Sequence, residues 1–551
     1  MTRTHDVVVV GAGLAGLVTT AELVAAGRRV LLLDAEPPAS LGGQAWWSFG
    51  GLFLVDSPEQ RRLGVRDSAE LALSDWLGSA AFADDGSDRW GRAWAEGFVD
   101  FAAGGMRDWL HRLGVRWFPL VQWAERGGYL ADGHGNSVPR FHVTWGTGPG
   151  ILEPFVRVLL DAHRDGRVEV RFRHRVTGLT TTDGRVTGVR GDVLAPDAVE
   201  RGAPSSRTVV RPFEVEAAAV VVATGGIGAN HDLVRATWPA AAGRLPERML
   251  SGVPDHVDGS GIEAARDAGA HVAHAGRMWH YPEGVTNHSP VWSSHGIRIL
   301  PGPSSLWLDA DGHRLPAPLF PGFDSLGALT HITSRGDDHS WFVLDRTILG
   351  KEFALSGSEQ NPDLTGRDVG LLLERVKPGA VGPVETFARR SPEFVAAATP
   401  AELAAGMNAL TGTSRIDPDA LARTIALRDA QVGTGLGKDL QVTATAMARR
   451  FVVDRAIRVA PPHRLTDPAH GPLYAVRLSV VTRKTLGGLA TDLEGRVLRP
   501  DGEVLPGLWA VGEAAGFGGG GVHGHRALEG TFLGGCLFTG RTTGRALVET
   551  V

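Results

Sequence analysis

Three glycines at fixed spacing and one acid define the first chemistry this chain is built for. Gly11-Ala-Gly13-Leu14-Ala15-Gly16 follows an apolar run at 7–10, and Asp34 closes a second apolar run 18 residues after Gly16. In this pattern Gly11 allows a tight turn, Gly13 lets the backbone approach a pyrophosphate, and Gly16 lets the helix pack close on its strand. The helix that starts at Leu14 and Ala15 offers free N–H groups and a positive dipole end. Asp34, followed by Ala35, is placed to accept hydrogen bonds from ribose hydroxyls. The ligand class is a dinucleotide.

Three further glycine-rich segments fit the same purpose. The loop carrying Gly42, Gly43, Gln44, Ser48, Gly50 and Gly51 combines glycines with polar side chains suited to wrapping a cofactor. The wholly apolar run at 217–222 reads as a buried strand that delivers Ala223, Thr224 and Gly225 into a turn. A strand at 508–511 ends in Gly512 and Glu513, runs into the glycines of 516–524, and leads to a closing helix at roughly 530–548 that begins with Gly530 and Thr531.

The elements that must position these groups follow from periodicity. Residues 67–113 have helical apolar spacing and several tryptophans, which predicts an insertion of amphipathic helices within about 65–140. A helix is expected at 151–163, strands at 168–176 and 185–193 around an Asp183-Gly184 turn, and a loop at 195–208. Residues 235–440 are rich in Pro, Gly and His, with short helical stretches. The expected division is 1–235 for the first part of a cofactor domain, 236–440 for a capping or substrate domain, and 441–551 for the cofactor domain's second part. The fold class is α/β, a Rossmann-like domain with an inserted α+β cap.

Composition narrows the function. Net charge is −5 and no long basic stripe is present, so nucleic acid is not an expected partner. The N-terminal apolar run is too short to span a bilayer and lacks a basic leader, so neither a membrane span nor a secretory signal is expected. One cysteine, Cys536, excludes an intramolecular disulfide and a multi-cysteine metal site and fits a cytoplasmic location. Fifteen tryptophans against three tyrosines point to an apolar pocket and leave little room for tyrosine-based chemistry.

Taken in order, Gly11 to Gly16, Gly42-Gly43, Ala223 to Gly226, Lys484-Thr-Leu-Gly-Gly-Leu489, and 507–513 through Gly540-Arg541 resemble one flavoprotein superfamily. It comprises fumarate reductases, succinate dehydrogenase flavoprotein subunits and 3-ketosteroid Δ1-dehydrogenases. The segment 295–309 resembles more narrowly a branch of FAD-binding dehydrogenases of unassigned substrate. The resemblance implies FAD, with Gly512 and Glu513 on the ribityl chain, the loop at 42–51 lining the flavin, and Val176 at the adenine through its backbone. Loop 41–51 has no histidine, so the FAD is expected to be noncovalent. It further implies an oxidoreductase of a CH–CH bond next to a carbonyl or carboxylate, with a small-molecule substrate. Electrons would pass to or from a separate acceptor or donor, because no heme or iron–sulfur motif is present.

Catalytic candidates also come from the resemblance. Arg526, in the pair His525-Arg526, stands where fumarate reductases carry a carboxylate-binding arginine; flavin contact or a structural ion pair are the alternatives. Arg335 resembles a proton-donating arginine, against a surface turn residue. His280 lies near a substrate-binding histidine of the family, and Tyr474 precedes the segment that ends in Lys484-Thr-Leu-Gly-Gly. The family's paired histidines are replaced by Arg483 and Lys484, and Lys484 is a proton-transfer or charge-partner candidate. A ketosteroid-type dehydrogenase and an enoate-type reductase both remain open. So do reaction direction, oligomeric state, and a flavin-binding electron-transfer or structural subunit without substrate chemistry.

Overall fold

The computed structural model describes residues 5–375, 379 and 382–551; residues 1–4, 376–378, 380 and 381, which fall in the first and second expected segments, lie outside the described residues. Val7–Val10, Val30–Leu33 and Ala219–Val222 contain only apolar, mostly β-branched residues, and all are buried. Strands covered on both faces require this composition. They form the centre of a six-stranded sheet in the order Arg496–Leu498, Val504–Ala510, Ala219–Val222, Val7–Val10, Val30–Leu33, Val168–Arg171. The pairings are parallel except at the Arg496–Leu498 edge. From Val7–Val10 the chain moves to Val30–Leu33 on one side and returns as Ala219–Val222 on the other. That reversal opens a crevice at the carboxyl ends of the strands, where ligands bind in open α/β sheets.

Helix Leu14–Ala25 leaves the first strand and packs on the closing helix Thr531–Thr550. Gly540 permits the contact: a Cβ there would lie 2.7 Å from the Ala15 carbonyl oxygen. The hairpin His174–Thr182 to Arg185–Leu194 turns at Asp183 and Gly184, both at positive φ (49° and 73°).

The predicted helical insertion is present as Ala69–Ala80, Arg89–Ala103 and Gly105–Arg112. Two of its tryptophans, Trp76 and Trp94, are core residues. Trp76 Nε1 donates to the Val522 carbonyl at 2.9 Å and Trp94 Nε1 to the Asp492 carbonyl at 3.0 Å, pinning the insertion to the C-terminal segment. Burying indoles with their N–H satisfied accounts for much of the tryptophan excess.

A second sheet is built around one long strand, Leu473–Thr485. It pairs with His339–Asp345 on one side and Met278–Thr286 on the other, and Gly296–Leu300 extends the sheet beyond Met278–Thr286. The second sheet thus continues to Thr485, past the expected boundary at 441. Residues 235–440 also hold longer helices than expected, Pro400–Thr411 and Pro418–Thr434, each started by a capping side chain and Pro at its first positions.

Candidate active site

A single cavity runs from the glycine turn of the first sheet to the inner face of the second. At its phosphate end, Gly11 has φ +107°, and a Cβ there would meet the Ala223 carbonyl oxygen at 2.5 Å. A Cβ on Gly16 would lie 2.1 Å from the Gly11 oxygen, whereas Gly13 faces open space. Gly13 caps helix Leu14–Ala25 without any side-chain hydrogen bond, so the first-turn N–H groups point free into the cavity. Gly42 and Gly43 back this turn, the Gly42 N–H donating to the Ala12 carbonyl at 2.9 Å. The Asp34 carboxylate accepts from Ala12 N at 2.7 Å and Glu36 N at 2.8 Å. Burial raises its pKa against the pull of those two N–H groups. Ala35 and Val176 line the cavity beside it.

The middle is a polar chain. Glu513 accepts from Gln44 Nε2 and from Thr485 N (2.8 Å), and Lys484 Nζ donates to Gln44 Oε1. Lys484 stands 3.7 Å from Glu513, and burial lowers its pKa. Ala223, Thr224 and Gly225 line the cavity beside this chain, a Cβ on Gly225 lying 3.2 Å from Gln44 Nε2, and Thr224 Oγ1 is buried without a hydrogen-bond partner. Ser48, Gly50 and Gly51 lie on the same wall as the 42–45 turn; a Cβ on Gly50 would sit 2.5 Å from Thr147 backbone. Gly530 opens helix Thr531–Thr550 with no side-chain cap and also lines the cavity. Three other residues of the expected cofactor set make contacts within the fold: Gly16 packs helix on strand, Gly512 N–H donates to Thr539 Oγ1 at 2.9 Å, and Thr531 Oγ1 pairs with His523 at 2.8 Å.

The far end carries a group that the sequence reading did not assign. Tyr281 comes from Met278–Thr286, Arg298 from the adjoining Gly296–Leu300, and Glu529 from the loop before the closing helix. Tyr281 donates its hydroxyl to Glu529 Oε1 at 2.9 Å, and Arg298 Nη1 donates to the same oxygen at 2.6 Å. The Arg298 guanidinium carbon lies 3.7 Å from the Tyr281 ring centre. Burial and the Glu529 charge hold the Tyr281 phenol well above its usual pKa. Two more buried carboxyls, Glu283 and Glu125, approach Arg298 and Ser325, and burial raises both. Phe49, Trp123 and Phe141 make the adjoining wall apolar.

The five candidates from resemblance separate. Lys484 lines the cavity. Arg526 instead borders a small neighbouring pocket, its Nε 3.5 Å from Asp324 Oδ1. Arg335 caps helix Ser325–Ser334 and pairs with Asp309 (3.2 Å) and Asp311 (3.0 Å) at the surface of the second domain. His280 sits next to Tyr281 in the strand and stacks on Trp238, ring centres 5.3 Å apart. Tyr474 pairs with Leu344 near the start of the long strand, ten residues and about 33 Å from Lys484.

A dinucleotide crevice at a sheet reversal, closed over by a second domain that brings Tyr281 and Arg298 to Glu529, defines the class: an FAD-dependent oxidoreductase with a capped, Rossmann-like fold. The chain belongs to the FAD binding domain family, whose model matches residues 6–533. It is 60% identical over 551 residues, 100% of this chain and 96% of the relative, to a KsdD-like steroid dehydrogenase of Mycobacterium tuberculosis (strain CDC 1551 / Oshkosh). Among solved structures, a 3-ketosteroid Δ1-dehydrogenase from Sterolibacterium denitrificans aligns with TM-score 0.67 at 16% identity, covering 100% of both chains. A flavocytochrome c3 fumarate reductase in its open conformation aligns with TM-score 0.63 at 21% identity, covering 100% of this chain and 78% of that one. At these identities the structures share the fold. The residues present fit FAD: two uncapped helix starts, the open face of Gly13, the half-buried Asp34 carboxylate and the unpartnered Thr224 hydroxyl all face one cavity. Among the described residues no helix is long and apolar enough to cross a membrane.

Proposed function

We propose that the chain dehydrogenates a cyclic ketone of the steroid type next to its carbonyl. The observation that carries this reading is the Tyr281 phenol on the cavity wall with the Glu529 carboxylate behind it. The 60% identity to a KsdD-like steroid dehydrogenase supports the substrate class. FAD, when bound, would accept the hydride, with its two electrons, that leaves the carbon β to the carbonyl as the C=C bond forms. The chain's own task is to take the proton from the carbon next to the carbonyl. The Tyr281 oxygen takes that proton as its own moves to Glu529 Oε1. Because the phenol is held protonated at neutral pH, it needs this carboxylate to act as a base. Arg298 fixes Glu529 in place through its 2.6 Å bond. Phe49, Trp123 and Phe141 offer an apolar ring system a dry surface.

FAD is held noncovalently by the cavity residues of the first sheet, because the loop at 41–51 has no histidine to attach it. Electrons leave to a separate acceptor, and the single cysteine agrees with a cytoplasmic location. An enoate-type reductase with Arg526 as its clamp is less supported, since Arg526 faces Asp324 outside the cavity. The reading is tested by steady-state oxidation of a saturated 3-ketosteroid with an artificial electron acceptor. Turnover by the wild type and its loss in Tyr281→Phe, with flavin retained, is expected; undiminished turnover in the variant contradicts it.

A further inference from the structure

Four cations line the catalytic part of the cavity, and three have partners within the protein. Arg298 is bound by Glu529 at 2.6 Å, and Lys484 by Gln44. Arg458 donates to the Leu300 carbonyl at 2.9 Å. Arg483 is different. It stands one residue before Lys484 on the strand Leu473–Thr485, which pairs with the strand of Tyr281 through Val481. Its side chain is half-buried, and among the described residues its guanidinium makes neither an ion pair nor a hydrogen bond. The nearby carboxyl of Glu359 is at most a partial counter-ion and makes no hydrogen bond or ion pair with Arg483: burial pushes it up to about 7, even with the Arg483 charge pulling it down.

A half-desolvated charge without a counter-ion is costly unless a ligand supplies one. A guanidinium fork matches a carboxylate with two parallel hydrogen bonds. The cofactor's pyrophosphate has its own site at the opposite end, over Gly13 and the start of helix Leu14–Ala25. We propose that Arg483 receives a carboxylate carried by the ketone substrate, so that the preferred substrate is a ketone acid rather than a neutral ketone. This rests on the dehydrogenase reading above and adds a specificity-determining residue to it. Arg298 does not compete for the anion, because Glu529 and Glu283 already surround it.

The test uses the flavin-loaded enzyme, a saturated 3-ketosteroid with a side-chain carboxylate, and the methyl ester of the same compound. Calorimetric binding and anaerobic flavin bleaching are measured for each. Wild type is expected to bind the acid about tenfold or more tightly than the ester, the scale of a charge-assisted hydrogen-bonded pair. Arg483→Gln brings the ratio close to one, and Arg483→Lys keeps part of it. Equal or weaker binding of the acid by wild type overturns the assignment. Equal weakening of acid and ester in Arg483→Gln also overturns it, placing the side chain on the cofactor or in the fold. If the acid binds tightly but neither compound bleaches the flavin, the anion site stands and the dehydrogenase reading fails.

Discussion

Tyr281 and Glu529 are 248 residues apart in sequence, yet the phenol donates to Glu529 Oε1 across 2.9 Å. The tyrosine belongs to the second sheet and the glutamate to the loop that starts the closing helix of the first domain. Their contact ties the two layers together at the end of the cavity where Arg298 joins them.

If this pair moves the substrate proton, removing the phenol hydroxyl should cost far more than a packing change. Tyr281→Phe is expected to lower kcat by on the order of 10²–10⁴-fold, the usual contribution of a positioned acid–base group. Glu529→Gln should lower it in the same direction. Both variants should retain the flavin absorption band, because neither side chain lies at the phosphate or ribose end. Stopped-flow reduction of the flavin checks this.

Arg526 gives the opposite expectation. Its Nε stands 3.5 Å from Asp324, beside a small pocket that shares Glu529 with the main cavity, which Arg526 itself does not line. Arg526→Ala should change kcat/KM for a ketone by no more than about threefold, the range of a residue that does not touch the transition state. A loss of several orders of magnitude would restore the carboxylate-clamp role.

His280 tests the reading of its strand. It is buried against Trp238, and burial lowers its pKa from 6.5 to about 3. Above pH 6.5 both folded and unfolded forms are neutral at this site, so it makes no pH-dependent contribution. Below 6.5 the unfolded chain takes a proton that the fold refuses, and stability falls as pH falls. Relative to wild type, His280→Gln should therefore gain about 2 kcal/mol between pH 7.5 and pH 5, at 1.36 kcal/mol per pKa unit. Denaturant titration at the two pH values measures it. A pH-independent difference would mean that the fold leaves the His280 pKa unshifted.

Gly11 and the flavin loop set two expectations for the cofactor. Gly11→Ala places a Cβ 2.5 Å from the Ala223 oxygen at φ +107°. Strain of roughly 1–3 kcal/mol is expected, with most of the FAD lost on purification. In the wild type, acid or heat denaturation should release all flavin into the supernatant. Flavin remaining on the precipitated chain would contradict noncovalent binding.

The phosphate end was legible because its chemistry runs through backbone, and glycine spacing records backbone geometry directly. Gly11, Gly13, Gly16 and Asp34 need only local structure to act, and the apolar strands at 7–10, 30–33 and 219–222 betray themselves by composition. The far end was not legible, because Tyr281, Arg298 and Glu529 meet only through long-range pairing. Successive residues in a strand face opposite sides. His280, one residue before Tyr281, therefore stacks on Trp238 while Tyr281 lines the cavity. Arg298 lay inside the segment 295–309 already singled out, and Glu529 stands three residues after Arg526. Scarcity of tyrosine says nothing about placement: one of the three tyrosines, Tyr281, lines the cavity.

The most direct measurement is the anaerobic visible spectrum of the flavin-loaded protein during addition of saturated 3-ketosteroids. Bleaching of the oxidised flavin band in wild type, slowed by orders of magnitude in Tyr281→Phe, is the predicted result. A flavin band that no such ketone bleaches, but whose reduced form enoates reoxidise, would contradict the dehydrogenase assignment.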